Sequence, residues 1–72
     1  MTDARESHIR AAEWHAFEAL KQSHRGQDEV AKGHLESAIE WLTMAGVACG
    51  RVTDPTEICG LAARLRTGVL QA

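Results

Sequence analysis

Tyrosine is absent from this 72-residue chain, phenylalanine occurs once and tryptophan twice. With so few large rings, the 44% apolar share rests on alanine and aliphatic residues, which bury little area apiece. No apolar run approaches the ~18 residues that a membrane-spanning helix requires, so a membrane protein is not expected. Neither sign of charge is in excess: eight Lys and Arg face ten Asp and Glu, for a net charge of −2. Such a balance supplies no overall field for nucleic acid or an anionic bilayer. The opening segment MTDARESHIR lacks an apolar core, so no secretory signal is read there and a cytoplasmic location is expected. Two cysteines in that setting are expected as reduced thiols. Cys49 and Cys59 flank one linker, and a bridge between them requires Cα atoms within about 7 Å. Thiols filling small gaps are the simpler expectation.

Length bounds the rest. Seventy-two residues form a single small domain, 1–72. A domain of this size buries only about 60% of its unfolded surface, and oligomerisation is a usual remedy.

No stretch alternates with period two. Apolar residues recur instead with helical spacing, which predicts an all-α fold with helices over about 3–25, 28–49 and 55–70. Asp3 and Glu6 form a D-x-x-E capping box at the start of the first. Its main stripe is Ile9, Ala12, Ala16 and Leu20, with Phe17 and Ala19 on its flanks. Gly26 suits the left-handed residue that closes a helix, and Asp28 is expected to cap the next. So short a connection between long helices predicts an antiparallel hairpin. Further on, Asp54-Pro55-Thr56-Glu57 reads as N-cap, N1 proline and N3 glutamate. The third, shorter helix carries Ile58, Leu61, Ala62, Leu65 and Val69 on one stripe.

The second segment has the widest apolar face. Val30, Ala31, His34, Leu35, Ala38, Ile39, Trp41, Leu42, Ala45 and Cys49 cover roughly half the circumference of a helix, against the ~100° stripe of an ordinary surface helix. This helix is therefore expected to organise the chain and to touch two surfaces. A homodimer follows, with Val30, Leu35, Ile39, Trp41 and Leu42 as the candidate interface.

Catalytic patterns are lacking. Ser7-His8 and Ser23-His24 are sequence neighbours, and adjacent helical residues do not face each other. Neither a G-x-S-x-G elbow nor a phosphate-cradling glycine loop occurs, so no enzymatic activity and no cofactor are expected. His8 and His15 stand two turns apart, about 10 Å along one helix, too far for a shared zinc ion. C-x-x-C, H-x-x-x-H and E-x-x-H spacings are missing, and no metal site is read. A DNA-binding regulator using the C-terminal helix is the alternative reading. That helix offers Arg64 and Arg66, which point about 160° apart.

Trp14 is the candidate for function. It lies about 140° from Ile9, with Arg10, Lys21 and Arg25 within about 40° of it and Phe17 one turn on. Trp and Arg are the side chains most enriched at binding hot spots. The expected function is thus a small homodimeric adaptor, regulator or inhibitor that binds a larger protein through Trp14, Arg10, Phe17, Lys21 and Arg25. The bland counterpart is an indole buried against a partner subunit.

Overall fold

A computed structural model describes residues 4–50 and 54–71, with side chains through Gly68. The chain forms three α-helices: α1 over Ala4–His24, α2 over Asp28–Met44 and α3 over Pro55–Gln71. No strand occurs among the described residues. Asp3 and the 51–53 part of the linker, which entered the expectations above, lie outside them, as does the Val69 side chain.

The first two helices end in the same way. Gly26 has φ 75° and Gly46 has φ 83°, the left-handed conformation that costs glycine little. After α1, the Gln27 N–H donates to the Gln22 carbonyl at 2.9 Å and the Gly26 N–H to the Ser23 carbonyl at 3.1 Å. After α2, the Val47 N–H donates to Leu42 at 2.9 Å and the Gly46 N–H to Thr43 at 3.0 Å. Both sets are Schellman closures, which satisfy carbonyls a helix end leaves open.

The second closure corrects a boundary. The helix expected to reach Cys49 stops at Met44, because Gly46 occupies the left-handed position and turns the chain away. Asp28 is also not the cap. Gln27 holds that position through its backbone, its carbonyl accepting the Ala31 N–H at 2.9 Å without a side-chain bond. Asp28 sits instead in the first helical turn, where its charge still suits the positive helix end. Gln27 therefore both closes α1 and opens α2, which is why three residues suffice between them. At α3, Asp54 does cap: its Oδ1 accepts the Thr56 N–H at 3.0 Å, and Pro55 follows at the first helical position.

The core is small and rich in alanine. Ile9, Ala12, Ala16 and Ala19 of α1 are fully enclosed, as are Ala38 and Leu42 of α2 and Ile58 and Ala62 of α3. Only Ile9, Leu42 and Ile58 among these are large. α1 packs along both other helices, whereas α2 and α3 touch only briefly. The hub is thus α1 and not α2. Its alanines present almost no bulk, so two helices can approach it closely on neighbouring faces.

Three contacts mark how α1 lies on α2. Arg5 Nε donates to the Ala45 carbonyl at 3.1 Å. The His8 ring meets the Trp41 ring at 5.3 Å between centroids, and His15 Nδ1 meets His34 Nδ1 at 3.1 Å. The Arg5 contact places a cation at the carbonyl end of α2, where the helix dipole favours it.

Glycine substitutions separate conformation from packing here. A Cβ added at Gly33, Gly46 or Gly60 meets nothing within 4 Å, so backbone conformation alone sets the outcome. Gly46→Ala is expected to destabilise the fold by about 1–2 kcal/mol, the cost of a left-handed L-residue. Gly33→Ala and Gly60→Ala, both inside helices, are expected to stabilise it by about 0.5–1 kcal/mol each. Thermal unfolding followed by circular dichroism checks both signs. A Gly46→Ala protein as stable as the parent would refute the closure assigned to α2.

Candidate binding surface

The first helix carries its aromatic side chains outward. Trp14 and Phe17, one turn apart on α1, are each 56% exposed. Their neighbours Ala16 and Ala19 are the residues that face the core. The alternation follows from helical spacing: positions that do not follow the Ile9–Ala12–Ala16–Ala19 stripe turn to solvent.

A shallow cleft of about 590 Å³ runs between α1 and α3, lined by Arg10, Glu13, Trp14, Phe17, Cys59 and Arg66. Below it, Phe17, Leu20, Lys21, His24 and Arg25 line a second depression at the end of α1. The five residues singled out from the sequence therefore share one side of the molecule, divided into two hollows with Phe17 common to both. Cys59 and Arg66 of α3 join this surface without a sequence signal, since helical spacing within α1 says nothing about where α3 lies.

Two of the three cations expected beside Trp14 are paired with glutamates. Arg10 pairs with Glu6 at 2.9 Å, Lys21 with Glu18 at 2.9 Å and Arg66 with Glu13 at 3.0 Å. The Lys21 bond holds the Glu18 carboxyl below its ordinary range. Glutamates one turn from their cations, or across the α1–α3 seam, turn a basic patch into alternating charges around two rings. Of the two arginines that the DNA-binding reading uses, Arg66 pairs with Glu13 of α1 and Arg64 is exposed.

Behind Trp14 lies a cluster that the sequence did not announce. Its indole meets the His15 ring edge-on at 4.9 Å and the His34 ring at 5.8 Å. Those two imidazoles, both half-buried, face each other through their Nδ1 atoms. Burial lowers the His15 pKa, the neighbouring His34 lowers it further, and Glu18 opposes them. His8 is arranged differently. Its ring lies against Trp41, and its buried Nδ1 has no hydrogen-bond partner among the described residues.

The proposed dimer residues divide as well. Val30 is 46% exposed, and Leu35, Ile39 and Trp41 are half-buried. Leu42 is fully enclosed by its own chain and has no surface to offer a second copy. An open furrow follows one face of α2 through Asp28, Ala31, Lys32, Leu35, Glu36 and Ile39, reaching Ser23 and Pro55. Cys49 and Cys59 are both free thiols. Burial raises the Cys49 pKa above its ordinary value. No helix among the described residues is long and apolar enough to cross a membrane.

The histidine cluster gives stability a pH dependence. Below the ordinary histidine pKa of about 6.5, the unfolded chain takes up a proton at residue 15 that the folded chain resists. Stability from this group is therefore complete above that pH and falls as pH drops through the lowered value. His34 across the seam and Glu18 on α1 are the ionisable groups acting on it. The melting temperature is expected to drop between pH 7.5 and 5.5, and His15→Asn is expected to flatten that drop. Parallel curves for the two proteins would refute it.

No protein-family model matches the chain, and neither a curated protein nor a solved structure does.

Proposed function

We propose that the protein is a small helical interaction module that binds a larger protein through the Trp14–Phe17 surface. One observation carries this reading. Two of the chain's three aromatic side chains stand more than half exposed, while alanine fills most of the core. A domain this small gains stability by enclosing its largest apolar groups. Here they are placed outside, within a rim of paired charges. An aromatic centre inside a polar rim is the anatomy of a binding hot spot.

In this reading α1 and α2 form an antiparallel hairpin. The ladder Arg5–Ala45, His8–Trp41 and His15–His34 supports it, since residue numbers rise on one helix as they fall on the other. The hairpin assembles as a homodimer through the furrow on α2. Leu35 and Ile39 supply its apolar floor, and Lys32 and Glu36 stand along its edges. Placed about a two-fold axis, Lys32 of one copy faces Glu36 of the other, so the surface is self-complementary. The aromatic surface on α1 stays available for the larger partner, and the protein acts as an adaptor or inhibitor by covering that partner's surface.

Two sets of substitutions test the parts separately. Trp14→Ala with Phe17→Ala is expected to abolish partner capture from host extract while leaving helicity, melting temperature within a few degrees and dimer mass unchanged. Ile39→Glu with Leu35→Lys is expected to give a helical protein of about half the parent's mass by light scattering. Should the aromatic double variant unfold, those rings belong to the stability of the fold, and the binding surface is refuted. A parent mass of 7.9 kDa at every concentration up to millimolar refutes the dimer alone.

A further inference from the structure

The contact between His15 and His34 is a hydrogen bond in the protein as it stands, with one Nδ1 donating and the other accepting at 3.1 Å. The same separation has a second meaning. Two imidazole nitrogens bound to one ion at about 2.05 Å stand about 2.9 Å apart at a right angle and about 3.3 Å apart at the tetrahedral angle. The observed spacing falls between these values. We propose that His15 and His34 form a cross-helix chelating pair for a divalent transition-metal ion of the imidazole-preferring kind, Ni²⁺, Cu²⁺ or Zn²⁺.

Three features of the site favour this use. The ligands come from different helices, α1 and α2, so the packing that brings the helices together holds both rings at the required separation. Both rings are half-buried, so they are partly desolvated and restricted before an ion arrives. A metal ligand must be neutral, and burial of His15 beside His34 disfavours its protonated form. Binding then asks for a small movement. The ring now donating its Nδ1 proton shifts to the Nε2–H tautomer, both Nδ1 lone pairs turn from each other onto the ion, and no net proton is released from two neutral rings.

The pair alone does not fill a coordination shell. Among the described residues no third His, Cys, Asp or Glu joins it in a metal-binding group. Water completes the remaining positions, which makes this an open site of moderate affinity and not a closed structural centre. Glu18 is the acid whose charge both rings feel, although its carboxylate is engaged by Lys21. Its charge favours a cation at the pair without ligating it.

Trp14 provides a reporter built into the site, since its ring lies 4.9 and 5.8 Å from the two imidazoles. Titration of Ni²⁺ into the full chain is expected to quench tryptophan emission saturably in the micromolar range, and excess Zn²⁺ is expected to restore it. His15→Asn and His34→Asn, each checked for intact helicity, are expected to raise the Ni²⁺ midpoint at least tenfold. His24→Gln, which removes an exposed histidine on the same helix, is expected to leave it within twofold. A midpoint within twofold of the parent in either folded Asn variant would overturn the proposal, as would the absence of saturable quenching up to millimolar Ni²⁺. The parent chain labelled with ¹⁵N-histidine keeps the test open if a variant unfolds. Added Zn²⁺ should move the Nδ1 resonances of His15 and His34 together, and movement confined to His8, His24 or the Nε2 atoms would refute the pair.

Discussion

Everything in this fold depends on the closeness with which α2 and α3 lie on the alanines of α1. Ala12, Ala16 and Ala19 are fully enclosed, yet each contributes only a methyl group. Their value is geometric: a surface without bulk lets helix axes approach to the short end of the usual 8–10 Å range. Ile9, Leu42 and Ile58 are the large side chains enclosed beside them, and half-buried residues such as Leu35, Ile39, Trp41 and Leu65 pack against that cluster. Larger residues along the α1 stripe would push the neighbours apart and leave the three big side chains without matching partners. The same closeness brings Arg5 within reach of the α2 terminus and the two imidazoles into contact.

A seam of small apolar groups is permissive, since alanine matches alanine nearly as well after a one-turn slip. Among the described residues no polar or charged side chain lies in the buried core to forbid such a shift. The register is held at the half-buried rim, where directional groups meet: guanidinium to carbonyl, imidazole to indole, imidazole to imidazole. A slip of one turn moves partners by about 5.4 Å, enough to break all three. Burial at the centre thus supplies the attraction, and the rim selects one arrangement from several of similar packing. His8 shows that this arrangement carries a cost, because its inward Nδ1 finds no hydrogen-bond partner among the described residues. A buried polar nitrogen left without a partner costs about 1–3 kcal/mol.

The existence of three helices and the start of α3 were legible in the sequence, because caps and breakers act locally. Asp54-Pro55 places the start of α3, and Gly26 places the end of α1. Apolar spacing continues through Cys49, but the left-handed Gly46 stops α2 whatever follows it. Which helix serves as hub was not legible. A wide apolar stripe shows how much surface a helix has to cover, whereas the hub is set by how near its neighbours can come. The stripe on α2 went partly unburied, and the alanine run on α1 took the central place. The exposure of Trp14 is readable from its angle to Ile9, and Glu6 and Glu18 lie within one turn of the cations they pair with.

The histidine pair spans two helices, so ligand spacing within one helix does not reveal it. In the antiparallel hairpin proposed for α1 and α2, the two helices mirror about the turn at Gly26, and positions whose numbers sum to about 49 or 50 become neighbours. Arg5 with Ala45, His8 with Trp41 and His15 with His34 all obey that rule. Reflection about a turn is therefore a sequence-level operation in its own right, and it finds constellations that motif spacing cannot. It also ties the chemistry of the pair to the fold. An ion held by both rings binds only the register in which they meet, so its binding energy stabilises that packing of α1 on α2 over any slipped one. Metal affinity and helix register are then one equilibrium seen from two sides.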